Sequence, residues 1–311
     1  MKLSIVTTLY HSESYLVEFA TRISAVAKKI TEDYEILLVN DGSPDNTLQK
    51  AIEIYESDIH IKVIDLAKNM GHHKAIMTGL RHAKGDYVFL IDVDLEEDPE
   101  LLEIFWNGIK ENHDLDAVYG VQVQRKGNLT EKITGKLFYK IFNFFSGVKV
   151  PENFITARLM TRKYVDGLLK YNEKELFLGG IWMDVGFSQK AIPVIKHSTS
   201  PTTYNVSKKI ALFVNALTSF SNTPLIYIFY SGSLITLLSF AYVVDLFYKK
   251  FFHGISIEGW TSLIVSIWFL GGINIFCIGI VGIYLSKVFT EVKNRPYSTV
   301  RRIYSRDENY E

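Results

Sequence analysis

The strongest constraint on the fold comes from two long apolar stretches in the last third of the sequence. Residues 225–247 contain one charged side chain, that of Asp245, and residues 260–285 contain none. As α-helices, both stretches are long enough to cross the roughly 30 Å hydrocarbon core of a bilayer. A pair of buried core helices is the alternative, but apolar runs of this length favour two transmembrane helices. We predict them over residues 224–248 and 260–286, after a domain of residues 1–203 and an amphipathic juxtamembrane segment, 204–223.

The lysines and arginines predict the orientation of these two spans. Six of them follow the second apolar stretch, whereas the connection between the stretches has only Lys249 and Lys250. The positive-inside bias therefore places the basic tail, residues 287–311, in the cytoplasm. Two spans return the chain to its starting side, so residues 1–203 are expected there too. The N-terminal residues lack the apolar run of a signal peptide, and the single cysteine, Cys277, suits a reducing compartment. The prediction is a protein of the cytoplasmic (inner) membrane with both termini in the cytoplasm.

Residues 1–123 show an alternation of strand-like and helix-like segments. The β-rich runs are residues 2–9, 34–40, 61–66, 86–91 and 117–123, and the helical runs between them are residues 15–30, 47–56, 73–83 and 99–112. Such an alternation predicts an α/β fold with a mainly parallel sheet covered by helices on both faces. Ligands of these sheets bind beyond the carboxyl ends of the strands. The polar residues after each strand are therefore the candidate site.

Two carboxylates follow the fourth predicted strand. Asp92 and Asp94 are two residues apart, so their side chains point to one face if the strand continues, and Glu96 is next on that side. Carboxylates this close repel each other unless a cation lies between them. We predict a Mg²⁺ or Mn²⁺ site at Asp92, Asp94 and Glu96, because these ions bind a few carboxylates together with phosphate oxygens. The alternative is a solvated acidic turn at the start of the next helix.

Other motifs exclude some classes of nucleotide-binding protein. No G-x-G-x-x-G follows the first strand and no G-x-x-x-x-G-K-[ST] is present, which argues against dinucleotide-binding and P-loop proteins. The formal net charge is zero, so the composition gives no indication of a nucleic-acid partner. His72 and His73 could form a zinc pair, but no cysteines or further histidine motif accompany them.

At these motifs the chain resembles glycosyltransferase family 2, which has the GT-A fold, and within it the polyisoprenyl-phosphate glycosyltransferases. That subgroup includes dolichyl-phosphate mannose synthases and bactoprenol glucosyltransferases. The resemblance covers nearly the whole chain, including the two spans. The segments that carry it are Ser4-Ile5-Val6 leading to Tyr10 and Glu13, Asn40-Asp41-Gly42-Ser43, Asn69-x-Gly71-His72, Asp92-x-Asp94-Leu95-Glu96, Arg125-Lys126-Gly127 and Arg158-Leu159-Met160. Relatives often have an Asp two residues before that arginine, where this chain has Thr156.

The resemblance implies a role for each of these residues. It implies nucleotide-sugar contacts for Tyr10, Glu13, Asp41, Asn69, Gly71, His72, Lys74 and Asp92, a metal at Asp92, Asp94 and Glu96, catalytic roles for Asp94, Arg125 and Arg158, and acceptor-phosphate contacts for Arg158, Lys208 and Lys209. Some of these residues also have an alternative role without a ligand. Asp41 could serve simply to organise a turn, Arg125 could be a solvated surface charge, and Lys208 and Lys209 could extend toward lipid headgroups.

The predicted function is inverting, metal-dependent transfer of a sugar from a nucleotide diphosphate sugar, with uridine as the expected base, to a polyprenyl phosphate such as undecaprenyl phosphate. Such a hexosyltransferase would feed cell-wall or surface polysaccharide synthesis. One alternative is a membrane-anchored glycosyltransferase that extends a lipid-linked oligosaccharide at a hydroxyl. Another is a non-enzymatic membrane scaffold, against which the intact Asp41, Asp92 and Asp94 argue. A homo-oligomer is compatible with the sequence, which does not set the number of copies.

Overall fold

The computed structural model describes residues 2–123, 129–174, 176–197, 214–253 and 259–306. The chain forms two compact units. The first comprises Met1–Lys140, Val148–Lys209 and Arg295–Glu311, and the second comprises Ile141–Gly147 and Ile210–Asn294. The first unit is therefore built from three separate parts of the sequence.

The first unit contains a mixed sheet. Its strands in the described residues are β1 (Leu3–Leu9), β2 (Tyr34–Asn40), β3 (Ile61–Leu66), β4 (Tyr87–Leu90), β5 (Ala117–Gln122), β6 (Phe154–Thr161), β7 (Gln189–Val194) and β8 (Val300–Tyr304). Their spatial order is β7-β5-β6-β4-β1-β2-β3-β8. The β1–β2, β1–β4, β2–β3 and β5–β7 pairs are parallel, whereas β6 runs antiparallel to both β4 and β5, and β8 antiparallel to β3.

The helices that connect and follow these strands are α1 (Leu16–Ile30), α2 (Thr47–Ser57), α3 (His72–His82), α4 (Leu101–Glu111), α5 (Leu129–Ser146), α6 (Arg162–Leu168), α7 (Leu178–Asp184), α8 (Thr223–His253) and α9 (Trp260–Val292). Strands β1, β2 and β3 are buried along their whole length. Burial on both faces explains why these strands are nearly continuous apolar runs.

The core explains which faces of the early helices are apolar. In α1 the buried side chains include Leu16, Phe19 and Ile23, which recur at helical spacing on one face. They join the apolar cluster that also contains Phe89 and Phe105, whose rings meet edge to face with centroids 6.1 Å apart. The result is a rigid parallel platform in β1, β2 and β4. The carboxyl ends of these three strands meet at one edge, since Leu9 pairs with Asn40 and Val6 with Leu90.

The sequence predictions for this unit are confirmed for the α/β class, the mainly parallel sheet and all nine early elements, whose ends differ from the observed ones by at most two residues. Strands β6, β7 and β8 were not predicted. The segment after the second span, predicted only as a basic tail, contributes β8: Ile303 pairs with Ile64, and Arg301 Nη1 lies 3.2 Å from Asp65 Oδ2.

The second unit contains the two long apolar helices α8 and α9. Their candidate membrane spans are Thr223–Tyr242, of 20 residues and mean hydropathy 1.6, and Ser266–Val292, of 27 residues and mean hydropathy 2.0. Neither span is buried within the protein. Polar contacts gather at one end of the unit: Ser221 Oγ and Thr223 Oγ1 both donate to the Phe145 carbonyl, and the Tyr284 hydroxyl donates to Ser221 O.

Candidate functional site

Most of the predicted site residues in the first unit lie at one edge of the sheet, beyond the carboxyl ends of its parallel strands. Tyr10 follows β1, Asp41 follows β2 and Asp92 lies two residues past the end of β4. The parallel register brings these three positions to the same edge, because Leu9 pairs with Asn40 at the ends of β1 and β2, and the chain continues from Leu90, opposite Val6, toward that edge. This edge is where α/β sheets bind their ligands.

The loop after β3 is held by Asp41. Its carboxylate accepts the Met70 N–H at 2.7 Å and the Gly71 N–H at 3.0 Å. Burial raises the pKa of Asp41, while these two hydrogen bonds act in the opposite direction. Gly42 has φ +60°, and a Cβ atom there would lie 2.5 Å from the Asn69 amide nitrogen. The Asp-Gly pair therefore brings the loops after β2 and β3 into close contact.

His72 connects that loop to the acidic segment. Its Nδ1 lies 3.0 Å from Thr8 Oγ1 on β1, and its Nε2 lies 3.5 Å from Asp92 Oδ1. Nearly half of the side chain is exposed, so the ring also faces outward. Gly71 adopts φ +93° just before α3, and Lys74 is half-buried in the first turn of that helix. The adjacent His73 turns elsewhere, with Nδ1 2.8 Å from Leu176 O.

The remaining residues predicted to contact the nucleotide sugar are placed more loosely. Tyr10 is 47% exposed, and its ring meets that of His11 edge to face. Glu13 Oε1 lies 3.2 Å from Lys50 Nζ on α2. The exposed Asn69 accepts the Gly71 N–H with Oδ1. Tyr10 and Asn69 are thus available to a ligand at this edge, whereas Glu13 already has an ionic partner.

The acidic segment turns sharply after β4. Asp94 Oδ1 accepts the Glu96 N–H at 3.0 Å, and Leu95 between them has φ +57°, a region that bulky residues seldom adopt. Burial raises the pKa of Asp94, and the charge of Asp92 raises it further. Strained backbone and crowded carboxylates are both typical of functional sites.

Lys196 lies against this segment from the other end of the sheet. Its Nζ is 3.2 Å from Glu96 Oε2 and 3.6 Å from Glu97 Oε1, just after β7. Beside it, the His197 N–H donates to Glu96 O, and His197 Nε2 lies 2.9 Å from Asp98 Oδ2. Glu96 is therefore neutralised by Lys196, whereas Asp92 and Asp94 remain close to each other.

These contacts decide how a divalent cation would fit. Among the described residues, no three His, Cys, Asp or Glu side chains form a ready metal-binding group. Asp92 and Asp94 nevertheless suit an ion that takes one or two protein carboxylates and completes its shell with phosphate oxygens. The mutual repulsion that raises the pKa of Asp94 would be relieved by such an ion. Glu96 would first have to leave Lys196.

Arg158 lies in β6 with no exposed surface. Its guanidinium lies 3.0 Å from the centroid of the Trp182 ring, Nε donates to Thr156 O, and Nη2 donates to Ile155 O. Complete burial lowers its pKa to about 10, so it stays charged at neutral pH. Nη1 has no hydrogen-bond partner among the described residues. The other predicted phosphate contacts, Arg125, Lys208 and Lys209, lie outside the described residues.

Sequence reasoning did not single out Thr8, Glu97, Lys196 or His197. Glu97 is fully buried and accepts two backbone N–H groups, from Thr156 and Ala157. Burial and the charge of Asp92 raise its pKa. In the sequence Glu97 reads as one acid in an acidic run, and Lys196 follows a strand that was not predicted. The one sequence signal for Glu97 was its position directly after Glu96. Consecutive side chains of an extended segment point in opposite directions, so two adjacent glutamates would differ in environment.

Comparison with known proteins shows the family to which this α/β unit belongs. Residues 4–169 match the family model "Glycosyl transferase family 2". The chain belongs to this family and is a glycosyltransferase of the GT-A fold.

Relatives match along nearly the full length of the chain. A protein of Mycobacterium tuberculosis described as "Putative glycosyltransferases" is 48% identical over 307 residues, covering 99% of this chain and 90% of that protein. An uncharacterized glycosyltransferase of Synechocystis is 34% identical, covering 98% and 96%. A prophage-derived bactoprenol glucosyl transferase of Shigella flexneri is 31% identical, covering 97% and 98%. The similarity therefore includes the apolar helices as well as the sheet.

Proposed function

We propose that the protein transfers a sugar, with inversion, from a nucleotide diphosphate sugar to a polyprenyl phosphate such as undecaprenyl phosphate, in support of cell-surface glycan synthesis. The observation that carries this proposal is the Asp92–Asp94 pair at the carboxyl edge of a GT-A sheet whose chain continues into two candidate membrane spans. The similarity to a bactoprenol glucosyl transferase over 97% of the chain supports the lipid acceptor.

The donor is assigned to the β1–β3 side of the edge. Tyr10 and Asn69 are exposed there, and the Asp41 bonds to Met70 and Gly71 fix the loop between them. His72 lies between this loop and Asp92, so its ring could meet the diphosphate, with Lys74 two residues further along α3. Uridine is the expected base of the donor, and Glu13 contributes through Lys50 to the shape of the adjacent turn.

The metal-dependent step is assigned to Asp92 and Asp94. A bound Mg²⁺ or Mn²⁺ would offset the negative charge that develops on the departing nucleoside diphosphate. Asp94 is oriented for this by its bond to the Glu96 N–H. Lys196 holds Glu96 and limits the net negative charge of the segment before a ligand arrives. Glu96 then serves as a further ligand if it exchanges Lys196 for the ion.

The acceptor phosphate needs no separate base. The second pKa of a phosphate monoester is near 6, so the acceptor is largely dianionic at neutral pH and can attack the sugar carbon directly. The candidates for its binding are Arg125, Arg158, Lys208 and Lys209, because a guanidinium group binds phosphate oxygens in a fork geometry and a lysine binds them as a point charge. Arg158 has no exposed surface. Direct contact with phosphate would therefore require movement of the side chains that cover it.

The candidate spans are assigned to the cytoplasmic membrane with the catalytic unit and both termini in the cytoplasm. Cysteine labelling in intact cells tests this orientation, with Cys277 replaced and single cysteines placed at Ser256 and Ser305. We expect a membrane-impermeant reagent to modify position 256 and to spare position 305. Labelling of position 305 but not of position 256 would reverse the assigned orientation.

The catalytic proposal is tested with membranes that contain the full chain. They are incubated with a panel of nucleotide sugars, polyprenyl phosphate and Mn²⁺ or Mg²⁺. The mass of the lipid product is then measured by mass spectrometry. We expect one hexose added to the polyprenyl phosphate, and none in excess EDTA. Addition to a lipid-linked oligosaccharide instead would establish the hydroxyl-acceptor alternative. Membranes that neither hydrolyse nor transfer any donor would support the scaffold alternative.

A further inference from the structure

An irregular stretch in the middle of β6 separates two regular parts of that strand. Tyr119 of β5 pairs with Arg158 and Val121 pairs with Phe154, so one residue of β5, Gly120, stands opposite three residues of β6. On the other side of β6, pairing with β4 ends at Leu90 opposite Arg158. Residues 155–157 therefore form a bulge within the sheet. Bulges of this kind redirect side chains and are frequent beside active sites.

Two buried ionisable side chains satisfy the backbone of this bulge. The Glu97 carboxylate accepts the Thr156 N–H at 3.2 Å and the Ala157 N–H at 2.8 Å. From within the strand, Arg158 donates to the carbonyls of Ile155 and Thr156, each at 3.3 Å. Glu97 and Arg158 have no exposed surface. Because buried main-chain groups need partners, these four hydrogen bonds replace the ladder bonds that the bulge forgoes.

A third contact fixes the bulge from β5. A Cβ atom at Gly120 would lie 2.5 Å from Ile155 Cδ1 and 2.7 Å from Ile155 Cγ1, so the Ile155 side chain packs directly on the glycine backbone. A side chain at position 120 would therefore force Ile155 to shift. The feature depends on one residue from each of three segments: Gly120 in β5, Arg158 in β6 and Glu97 in the acidic segment.

Under the proposed function, the bulge lies on the side of the site that would receive the acceptor. In the sheet order, β4 stands between β6 and the β1–β3 strands that carry the donor loops. A nucleotide over Asp41 and Asn69 would therefore direct its sugar past Asp92 toward Thr156. Thr156 is half-buried, and its hydroxyl makes no hydrogen bond within the described part of the chain. The hydroxyl is free to meet a ligand.

We propose that Glu97 and Arg158 are positioning residues, which hold the 155–157 bulge from opposite sides and set Thr156 at a fixed distance from the Asp92–Asp94 pair. This inference rests on the proposed transfer to polyprenyl phosphate. Glu97 belongs to the same segment as Asp92 and Asp94. Its hydrogen bonds to the bulge therefore connect the predicted metal ligands to the surface that would receive the acceptor. Arg158 acts through the main chain and not by contact with phosphate.

The first test replaces Glu97 with Gln in the full-length protein. An amide can accept only one of the two N–H groups, and its NH₂ faces the other, so the bulge shifts while side-chain volume is kept. We expect the kcat of transfer to polyprenyl phosphate to fall at least about tenfold. Hydrolysis of the donor by water, the donor KM and the Mn²⁺ activation constant should stay within about threefold of wild type. Glu103→Gln is the matched control, because Glu103 is half-exposed on α4 and 3.8 Å from Lys29.

The second test reaches the bulge from the opposite strand. Gly120→Ala introduces the methyl group that meets Ile155, so it should reproduce the same selective loss of transfer without touching any carboxylate. Arg158→Lys keeps the charge but cannot bond both carbonyls, and should share the phenotype. These two variants carry the test if Glu97→Gln does not accumulate as folded protein.

The outcomes separate the alternatives. Unchanged transfer in Glu97→Gln and Gly120→Ala would overturn the inference, as would equal losses of transfer and hydrolysis. A shifted Mn²⁺ constant would make Glu97 a metal ligand instead. A raised KM for polyprenyl phosphate in Arg158→Lys, with Gly120→Ala normal, would restore direct phosphate contact by Arg158. If the wild-type protein hydrolyses donor but forms no lipid-linked product, the proposed function fails, whichever result the variants give.

Discussion

The two sides of the sheet edge are stabilised by different chemistry. On the β2–β3 side, the one carboxylate at the loop contact, Asp41, is satisfied by main-chain N–H groups of Met70 and Gly71. On the β4–β6 side, four carboxylates lie within six residues, with Lys196 and His72 in contact with three of them. The first side is complete as it stands. The second keeps an excess of negative charge, which the proposed cation would offset.

The prediction with the largest expected effect concerns the excess negative charge near Asp94. Asp94→Ala should lower transfer by about a hundredfold to a thousandfold, since preorganised electrostatic groups at a reacting centre have effects of this size. The fold should persist because Asp94 is not part of the apolar core. Steady-state transfer and a thermal melt measure the two quantities, with the exposed Asp114→Ala as control. Near-wild-type turnover, or full turnover in excess EDTA, would remove the metal from the mechanism.

A smaller effect is expected on the side that is already complete. Asp41→Asn leaves an amide group facing one of two N–H donors, so the loop after β3 should move. We expect the donor KM to rise roughly ten- to hundredfold, the range for a hydrogen bond to a charged group. The Mn²⁺ constant should not change. Asp58→Asn is the control, because Asp58 also accepts a backbone N–H, that of His60, just after α2 and before the start of β3, at the opposite end of that strand from the site. An unchanged donor KM would show that Asp41 only shapes a turn.

Replacement of Lys196, the lysine in contact with Glu96, should have an effect of the opposite sign, namely tighter metal binding. Lys196→Gln removes the ionic contact of Lys196 with Glu96 and adds net negative charge to the acidic segment. We expect the Mn²⁺ activation constant to fall roughly three- to tenfold, that is, tighter binding, because an attractive charge near the ion is uncovered. A titration of transfer against Mn²⁺ measures it, beside Lys190→Gln on the exposed face of β7. Weaker Mn²⁺ binding would mean that Lys196 orders the ligands instead of competing with the ion.

The smallest effect is expected at the sheet edge most distant from the acidic segment. Arg301→Ala removes a contact to Asp65 and a hydrogen bond to Ala67 O. Because Arg301 is more than half exposed, the free energy of unfolding should fall by about 1 kcal/mol or less. Chemical denaturation measures it, with Arg302→Ala as the neighbouring control. Any loss of transfer in Arg301→Ala would show that β8 influences the site.

The helices and strands of residues 1–123 were predictable because each one can be recognised from its own stretch of sequence. β2 and β3 have the predicted ends, since a buried parallel strand is an apolar run closed by polar loop residues. β6 and β7 escaped prediction for a physical reason. β6 is mostly buried, but the polar residues Thr156 and Arg158 interrupt its apolar run. β7 begins with the polar residues Gln189 and Lys190.

The candidate site was predictable where a motif follows a strand, as at Asp41 and Asp92. It was not predictable where partners come from distant segments. The Glu97 bond to Ala157 spans 60 residues, and the Lys196 contact with Glu96 depends on β7 reaching the same edge. Sequence periodicity reports which face a residue occupies, but it does not report which remote group will stand opposite.

The place of β8 in the sheet has a consequence for how the chain is made. Val63 pairs with Tyr304, so the last strand leaves the ribosome long after the rest of its sheet and only once both apolar helices have been synthesised. Until then β3 has an open edge, which is a template for unwanted strand pairing between nascent chains. A chain cut short before the spans would keep that edge permanently. Completion of the sheet therefore has to wait until both apolar helices have been synthesised.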